Sequence, residues 1–170
     1  MGAELQTFAD NTQAEIEGLE GSEPVIITVA PNGARLTKKD HAAIPLTPEE
    51  IAREATLCFE AGASMIHLHV RDKLGKHSLK PEHYMDAMAA IRKSLGKDLI
   101  IQITTESLGL YSSQEQISIV REIRPESVST AIRELVPSES FELEASAFYS
   151  WTEKNKIAVQ CILYDGYDVS

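Results

Sequence analysis

Apolar and polar positions switch between two periods along this chain, and the switches mark its elements. Residues 25–30 (VIITVA) form a short, unbroken, β-branched run, which predicts a buried strand. A long polar loop, 31–46, follows. Thr47-Pro48-Glu49-Glu50 then opens a helix: Thr47 is the N-cap, Pro48 takes the first helical position and Glu50 completes a capping box. Ile51, Ala55, Cys58 and Phe59 recur at helical spacing, and Gly62 ends the run. The unit then repeats. Residues 63–70 (ASMIHLHV) predict a second strand, and 81–95 a helix with Tyr84, Met88, Ile91 and Leu95 on one face. Residues 98–105 (DLIIQITT) predict a third strand, and a helix capped by Ser112 and Glu115 runs to about Ile123. Residues 127–132 predict a fourth strand, 141–154 a fourth helix and 157–164 (IAVQCILY) a fifth strand.

Strict β-α alternation means a parallel sheet with right-handed crossovers. The Pro31-Asn32-Gly33-Ala34 turn after the first strand is not GxGxxG, so a dinucleotide fold loses its main signal. A (β/α) barrel and an open doubly wound sheet remain.

The 170 residues, 43% hydrophobic and 25% charged, suit a globular chain with a sizeable core. No apolar run is long enough to predict a membrane span, and no secretory signal pattern opens the chain. Cys58 and Cys161 lack metal-type spacing and read as buried free thiols of a reducing cytoplasm. The net charge of −10 is unevenly placed. Residues 1–24 carry six acidic side chains and no Lys or Arg, which leaves −4 for the rest. Residues 1–24 are therefore expected to be an acidic extension and 25–170 the folded body. The mild charge of that body gives no support for nucleic-acid binding.

The strongest chemical signal is His67-Leu68-His69. Side chains alternate along a strand, so both imidazoles share one face with Met65. Two neutral imidazoles there can converge on a zinc ion, which needs at least one further protein ligand. Two histidines hydrogen-bonded in a core is the alternative. On the third strand Ile100, Gln102, Thr104 and Glu106 share a parity, while Leu99, Ile101 and Ile103 take the other and can pack on helices. The polar group Thr104-Thr105-Glu106-Ser107 falls at the strand's C-terminal end, where barrel enzymes carry their sites. Asn32, Arg35, Lys38, Lys39 and His41 lie in the first βα loop. Arg35 can pair with a substrate carboxylate, whereas Lys38 and Lys39 read as solvated. Arg71 and Asp72 can orient the histidines or form a surface pair. His77 and His83 read as surface residues. Arg133, Glu134, Tyr164 and Asp165 follow the fourth and fifth strands and can face the same mouth.

With these residues in view, residues 25–47, 61–72 (AGASMIHLHVRD), 100–107 (IIQITTES) and 127–137 (SVSTAIRELVP) resemble the β-keto acid cleavage enzyme family, the group of the 3-keto-5-aminohexanoate cleavage enzyme. The resemblance runs from about Pro24 to Ser170. It implies a (β/α)8 TIM barrel, usually a homotetramer, with a divalent metal, normally zinc, held by the His-x-His and by a glutamate late in the chain. The metal polarises a β-keto acid, an enolate-type carbon attacks acetyl-CoA, and retro-cleavage gives acetoacetate and a new acyl-CoA. By position, His67 and His69 match the metal ligands. Thr104, Ser107 and Thr130 match substrate-contacting positions. Arg71, Asp72 and Glu106 lie around them. Arg35 stands where the family's type member has a glutamate that meets a substrate amine, which implies a neutral or anionic substrate tail instead.

About five of eight strands are expected here, with the third ligand and the catalytic residues beyond Ser170. A five-stranded piece would leave an open edge, so pairing with another chain or a homo-oligomer is expected. The expected partners are a small-molecule β-keto acid and acetyl-CoA, with no nucleic acid and no membrane. The rival class is a catalytically inactive remnant acting as a metal-binding or interaction module. A metal hydrolase of the amidohydrolase type is disfavoured, because there the His-x-His sits on the first strand.

Overall fold

The computed structural model describes residues 25–169. The acidic extension expected over residues 1–24 lies outside them. The described residues form, in order, β1 (Thr28–Val29), α1 (Pro48–Glu60), β2 (Met65–Leu68), β3 (Val70–Arg71), β4 (His77–Ser78), α2 (Pro81–Leu95), β5 (Ile100–Thr104), α3 (Ser113–Ile123), β6 (Ser127–Ala131), α4 (Ile132–Leu135), α5 (Glu142–Lys154) and β7 (Ala158–Ile162). The capping boxes are present: Thr47 and Glu50 close the start of α1, and Ser112 and Glu115 that of α3.

β1, β2, β5, β6 and β7 make one parallel sheet in that spatial order. Neighbours in the chain are neighbours in the sheet, with no reversal of direction. A doubly wound sheet requires such a reversal. The sheet is therefore a curled part of a (β/α)8 barrel, five strands of the eight. The two faces differ as the third strand's parity predicts. Ile66, Leu68, Leu99, Ile101, Ile103 and Val128 pack with Ile51, Tyr84, Ile91, Ile117, Val120 and Phe148 of the helices in one core. The concave face carries His67, Gln102, Ser127, Ser129 and Gln160, joined by strand register. Trp151 of α5 packs half-buried against this core, its ring centre 5.9 and 5.8 Å from the guanidinium carbons of Arg121 and Arg124.

Four expectations need correction. The first strand is only Thr28–Val29, and Val25, Ile26 and Ile27 are exposed, Val25 at 82%. β1 pairs with β2 alone, and that apolar run stays more than half exposed. The thiols are not buried: Cys58 is half-buried and Cys161 exposed. Cys161 belongs to β7, which pairs only with β6. The second strand stops at Leu68, and the stretch from Val70 to Ser78 is an antiparallel hairpin of β3 and β4. Asp72 closes its turn, accepting from the N–H groups of Leu74 and Lys76, while Gly75 supplies a left-handed φ of +75°. The hairpin folds His77 inward: it is buried, and His83 is half-buried beside it, its Nδ1 2.8 Å from Ser78 Oγ.

Candidate metal and substrate site

β2 ends by delivering His67 and, one residue past the strand, His69 to the C-terminal end of the sheet. Their ring centres are 4.8 Å apart, edge to face. Gln102, in register opposite His67, is that residue's hydrogen-bond partner. Its amide N–H groups donate to Ser127 Oγ and Gln160 Oε1, at 3.1 and 2.9 Å. Its carbonyl then faces His67 Nδ1, 2.7 Å away, and accepts from it in the tautomer that carries its proton there. That tautomer leaves the Nε2 lone pair of His67 for a ligand.

His69 is 3% exposed, and its Nδ1 is buried with no hydrogen-bond partner. Burial pushes its pKa down to about 3, with His67, His77 and Arg71 adding to the effect. The imidazole is thus neutral, the form that binds metal. Asn32 fixes the backbone here, donating to the carbonyls of His69 and Pro45, both at 3.0 Å. Arg71 does not touch either imidazole. It is buried and donates to the carbonyls of Asn32, Gly33 and Leu36. Its role is to pin the first βα loop, which corrects both the histidine-orienting and the surface-pair expectations. Asp72 sits in the hairpin turn and orients neither histidine.

Beyond β5 the chain turns sharply at Thr104-Thr105-Glu106-Ser107. Thr104 is fully buried, and its hydroxyl accepts from the Glu106 N–H and from Ser129 Oγ. Its carbonyl accepts from the buried Tyr84 hydroxyl, whose pKa burial raises. The Glu106 carbonyl is 2.7 Å from His77 Nε2, so His77 anchors this corner. The Glu106 carboxylate lies 3.9 Å from His69 Nδ1 and 4.0 Å from the Arg35 guanidinium. Arg35 itself is largely exposed above the pair, at 78%. The Ser107 N–H donates to Glu134 at 3.0 Å, which brings the end of β6 into the site. Arg133 turns aside to Asp165 and Asp168, over the Tyr164 ring. Lys38 pairs with Glu50, and Lys39 and His41 are exposed.

The structure thus gathers His67, His69, Glu106, Arg35, Thr104 and Ser107 at one end of the sheet. Thr130 is not among them. β6 alternates, so Ser127 and Ser129 face the concave side while Val128 and Thr130 face the helices, where Thr130 Oγ1 meets Tyr149 of α5 at 3.1 Å. Gln102 and His77 also lie at this end of the sheet: the sequence reading gives Gln102 no role, although strand register sets it opposite His67, and it puts His77 at the surface, where the structure has it buried. Two imidazoles, one hydrogen-bonded by an amide and one with an orphaned buried nitrogen, fit a divalent cation. Among the described residues no three His, Cys, Asp or Glu side chains are converged on a metal as they stand.

A polar constellation at the C-terminal mouth of a parallel β/α sheet defines a barrel enzyme type of site. The chain belongs to the beta-keto acid cleavage enzyme family, whose profile matches residues 24–170. It is 47% identical over 83 residues to a 3-keto-5-aminohexanoate cleavage enzyme of Fusobacterium nucleatum, covering 49% of this chain and 30% of the relative. It is 38% identical over 107 residues to the enzyme of that name from Acetoanaerobium sticklandii, covering 63% and 38%. To a 3-oxoadipate:acetyl-CoA acetyltransferase of Cupriavidus necator it is 36% identical over 84 residues, covering 49% and 29%. These matches span about a third of each relative's length. The fold resembles that of apo ObcA, with a TM-score of 0.59 at 17% identity, covering 75% of this chain and 31% of ObcA.

Proposed function

We propose that this chain carries the metal-binding part of a centre that reacts a β-keto acid with acetyl-CoA, yielding acetoacetate and a new acyl-CoA. The observation that supports it most is the His67–Gln102 bond, which points a lone pair of one histidine beside its neighbour at the mouth of the sheet. His67 and His69 would hold a divalent cation, zinc by its preference for imidazole. When bound, the cation supplies Lewis-acid polarisation of the keto acid's oxygens. The late glutamate and the acid-base residues that the family resemblance implies belong to barrel strands other than the five described here.

The chain's own residues would shape the substrate side of the site. Ser107 would meet the substrate at the mouth, its N–H oriented by Glu134, with Thr104 buried beneath it supporting the corner. Thr130 contributes through Tyr149 and the packing of α5. Arg35 offers a planar cation to an anionic substrate tail. The named 3-oxoadipate relative makes a dicarboxylic keto acid the first to try. The free thiols fit a cytoplasmic setting, and the open β1 and β7 edges favour a homo-oligomer or a partner chain.

The test is turnover with labelled acetyl-CoA and a panel of β-keto acids of anionic, neutral and aminated tail, followed as acetoacetate and acyl-CoA. In protein that also carries the late barrel strands, zinc-dependent exchange, abolished in His67→Ala and favouring anionic tails until Arg35→Glu, is expected. Zinc binding without any exchange would favour the inactive metal-binding remnant. Exchange that survives His67→Ala would remove the ligand assignment.

A further inference from the structure

We propose that the outer face of α1 is a docking surface for a second copy of this chain, with the two α1 helices antiparallel about a two-fold axis between Thr56 and Leu57. The inference stands apart from the histidine pair, from the reaction and from the sheet edges.

Helical spacing sorts the residues of α1 into two faces. Ile51, Ala52 and Ala55 are buried against the sheet side. Glu49, Arg53, Thr56, Leu57 and Glu60 recur at steps of three and four and share the outer side. Leu57 is 53% exposed there. This face borders a groove of about 650 Å³ between α1 and α2, lined in part by the short side chains of Ala52, Thr56, Ala90 and Ser94. Short side chains leave room for the ridge of another helix. The strands that precede α1 and α2 are direct neighbours in the sheet. Strands added at the β1 or β7 edge would bring their helices elsewhere and leave this groove open.

Charge decides the occupant. The groove carries Glu49 and Glu60 against Arg53 and Lys93, so its charges cancel and it offers little to a strongly acidic or basic partner. Arg53 has a loose 3.8 Å pair with Glu54, its neighbour in the chain, and among the described residues Glu49, Glu60 and Lys93 form no ion pair. Arg53 and Glu60 stand two turns apart with Leu57 between them. An antiparallel copy turned about the axis between residues 56 and 57 sets Arg53 against Glu60 of the second copy, and Glu60 against its Arg53. The same attraction thus occurs twice, as an isologous interface requires, and the Leu57 side chains meet beside the axis. A parallel copy would set like charges against each other at both positions. One helix pair and its groove make a small interface, so the dimer is expected at micromolar concentration.

Site-specific cross-linking separates this contact from association at the sheet edges. Leu57→Cys, made in chain that also carries Cys58→Ala and Cys161→Ser, should give a covalent dimer with a short bismaleimide. Leu143→Cys in the same background should not, although Leu143, on α5, is 86% exposed. Adding Arg53→Glu should cut the cross-linking about tenfold, because both attractive pairs become repulsive. Glu60→Arg should do the same, and the two reversals together should restore it. Both side chains are exposed, so neither reversal disturbs the core. Sedimentation equilibrium of the charge variants with the native cysteines should follow the same order. Cross-linking at position 143 as efficient as at position 57, or a double reversal that restores nothing, overturns the proposal. A thiol at position 57 that stays monomeric and resists a monofunctional maleimide means that another part of the chain covers the groove, and overturns it as well.

Discussion

Gln102 shows how one buried amide sets the chemistry of a neighbouring imidazole. Both of its N–H groups donate, to Ser127 Oγ and Gln160 Oε1, so its carbonyl is the group turned to His67 Nδ1. Gln102→Leu is expected to keep the fold but lower zinc affinity about 10–100-fold, read in competition with a chromophoric chelator. His69 makes a second prediction. Its folded pKa, near 3, lies below the ordinary value of 6.5. The unfolded chain then binds more protons between those limits, so stability is complete above pH 6.5 and is lost as pH falls toward 3. Burial of His77 adds in the same direction. Urea unfolding of metal-free chain between pH 6.5 and 5 should lose up to about 1.4 kcal/mol per pH unit for His69 alone, and His69→Gln should flatten that slope. The pairing of His67 and His69 on one face was legible from period-2 alternation, since only strand geometry is needed. The orphaned nitrogen and its carboxylate were not, because Glu106 reaches His69 across a turn whose path no periodicity encodes.

At the scale of elements, the helices were readable where the sequence carries its own termini. α1 and α3 begin at Thr47 and Ser112 because each side chain accepts from the N–H three residues on while a glutamate answers back. Thr47→Ala is expected to cost about 1 kcal/mol. Differential scanning calorimetry should show a fall in Tm of roughly 2–4 °C for a chain of this size. The hairpin of β3 and β4 escaped notice because two-residue strands are too short to show alternation; its Asp72 and Gly75 turn was the visible trace. Thr130 was placed by resemblance, and strand parity overrules that: Val128 is in the core, so Thr130 two residues on must share its side. The first strand failed for another reason. A β-branched run predicts strand by propensity, yet pairing needs partners, and the register with β2 begins only at Thr28.

For the whole molecule, the two sheet edges are where association is expected. β1 and β7 each have one neighbour among the described residues, and the apolar Val25, Ile26 and Ile27 at one edge and Leu163 and Tyr164 at the other are exposed. Such edges template pairing with further strands. Sedimentation velocity should show association rising with concentration, and Ile27→Lys should shift the distribution toward the monomer. Trp151, finally, determines what can be seen spectroscopically. It is the one tryptophan of the chain, and it sits against Arg121 and Arg124 on the helical layer, on the far side of the sheet from the histidines. Its fluorescence is thus a private reporter of how α5 docks on α3. It will register unfolding, and it will stay dark to cation binding at the mouth, where Tyr111 at the rim of His77 is the nearer optical witness.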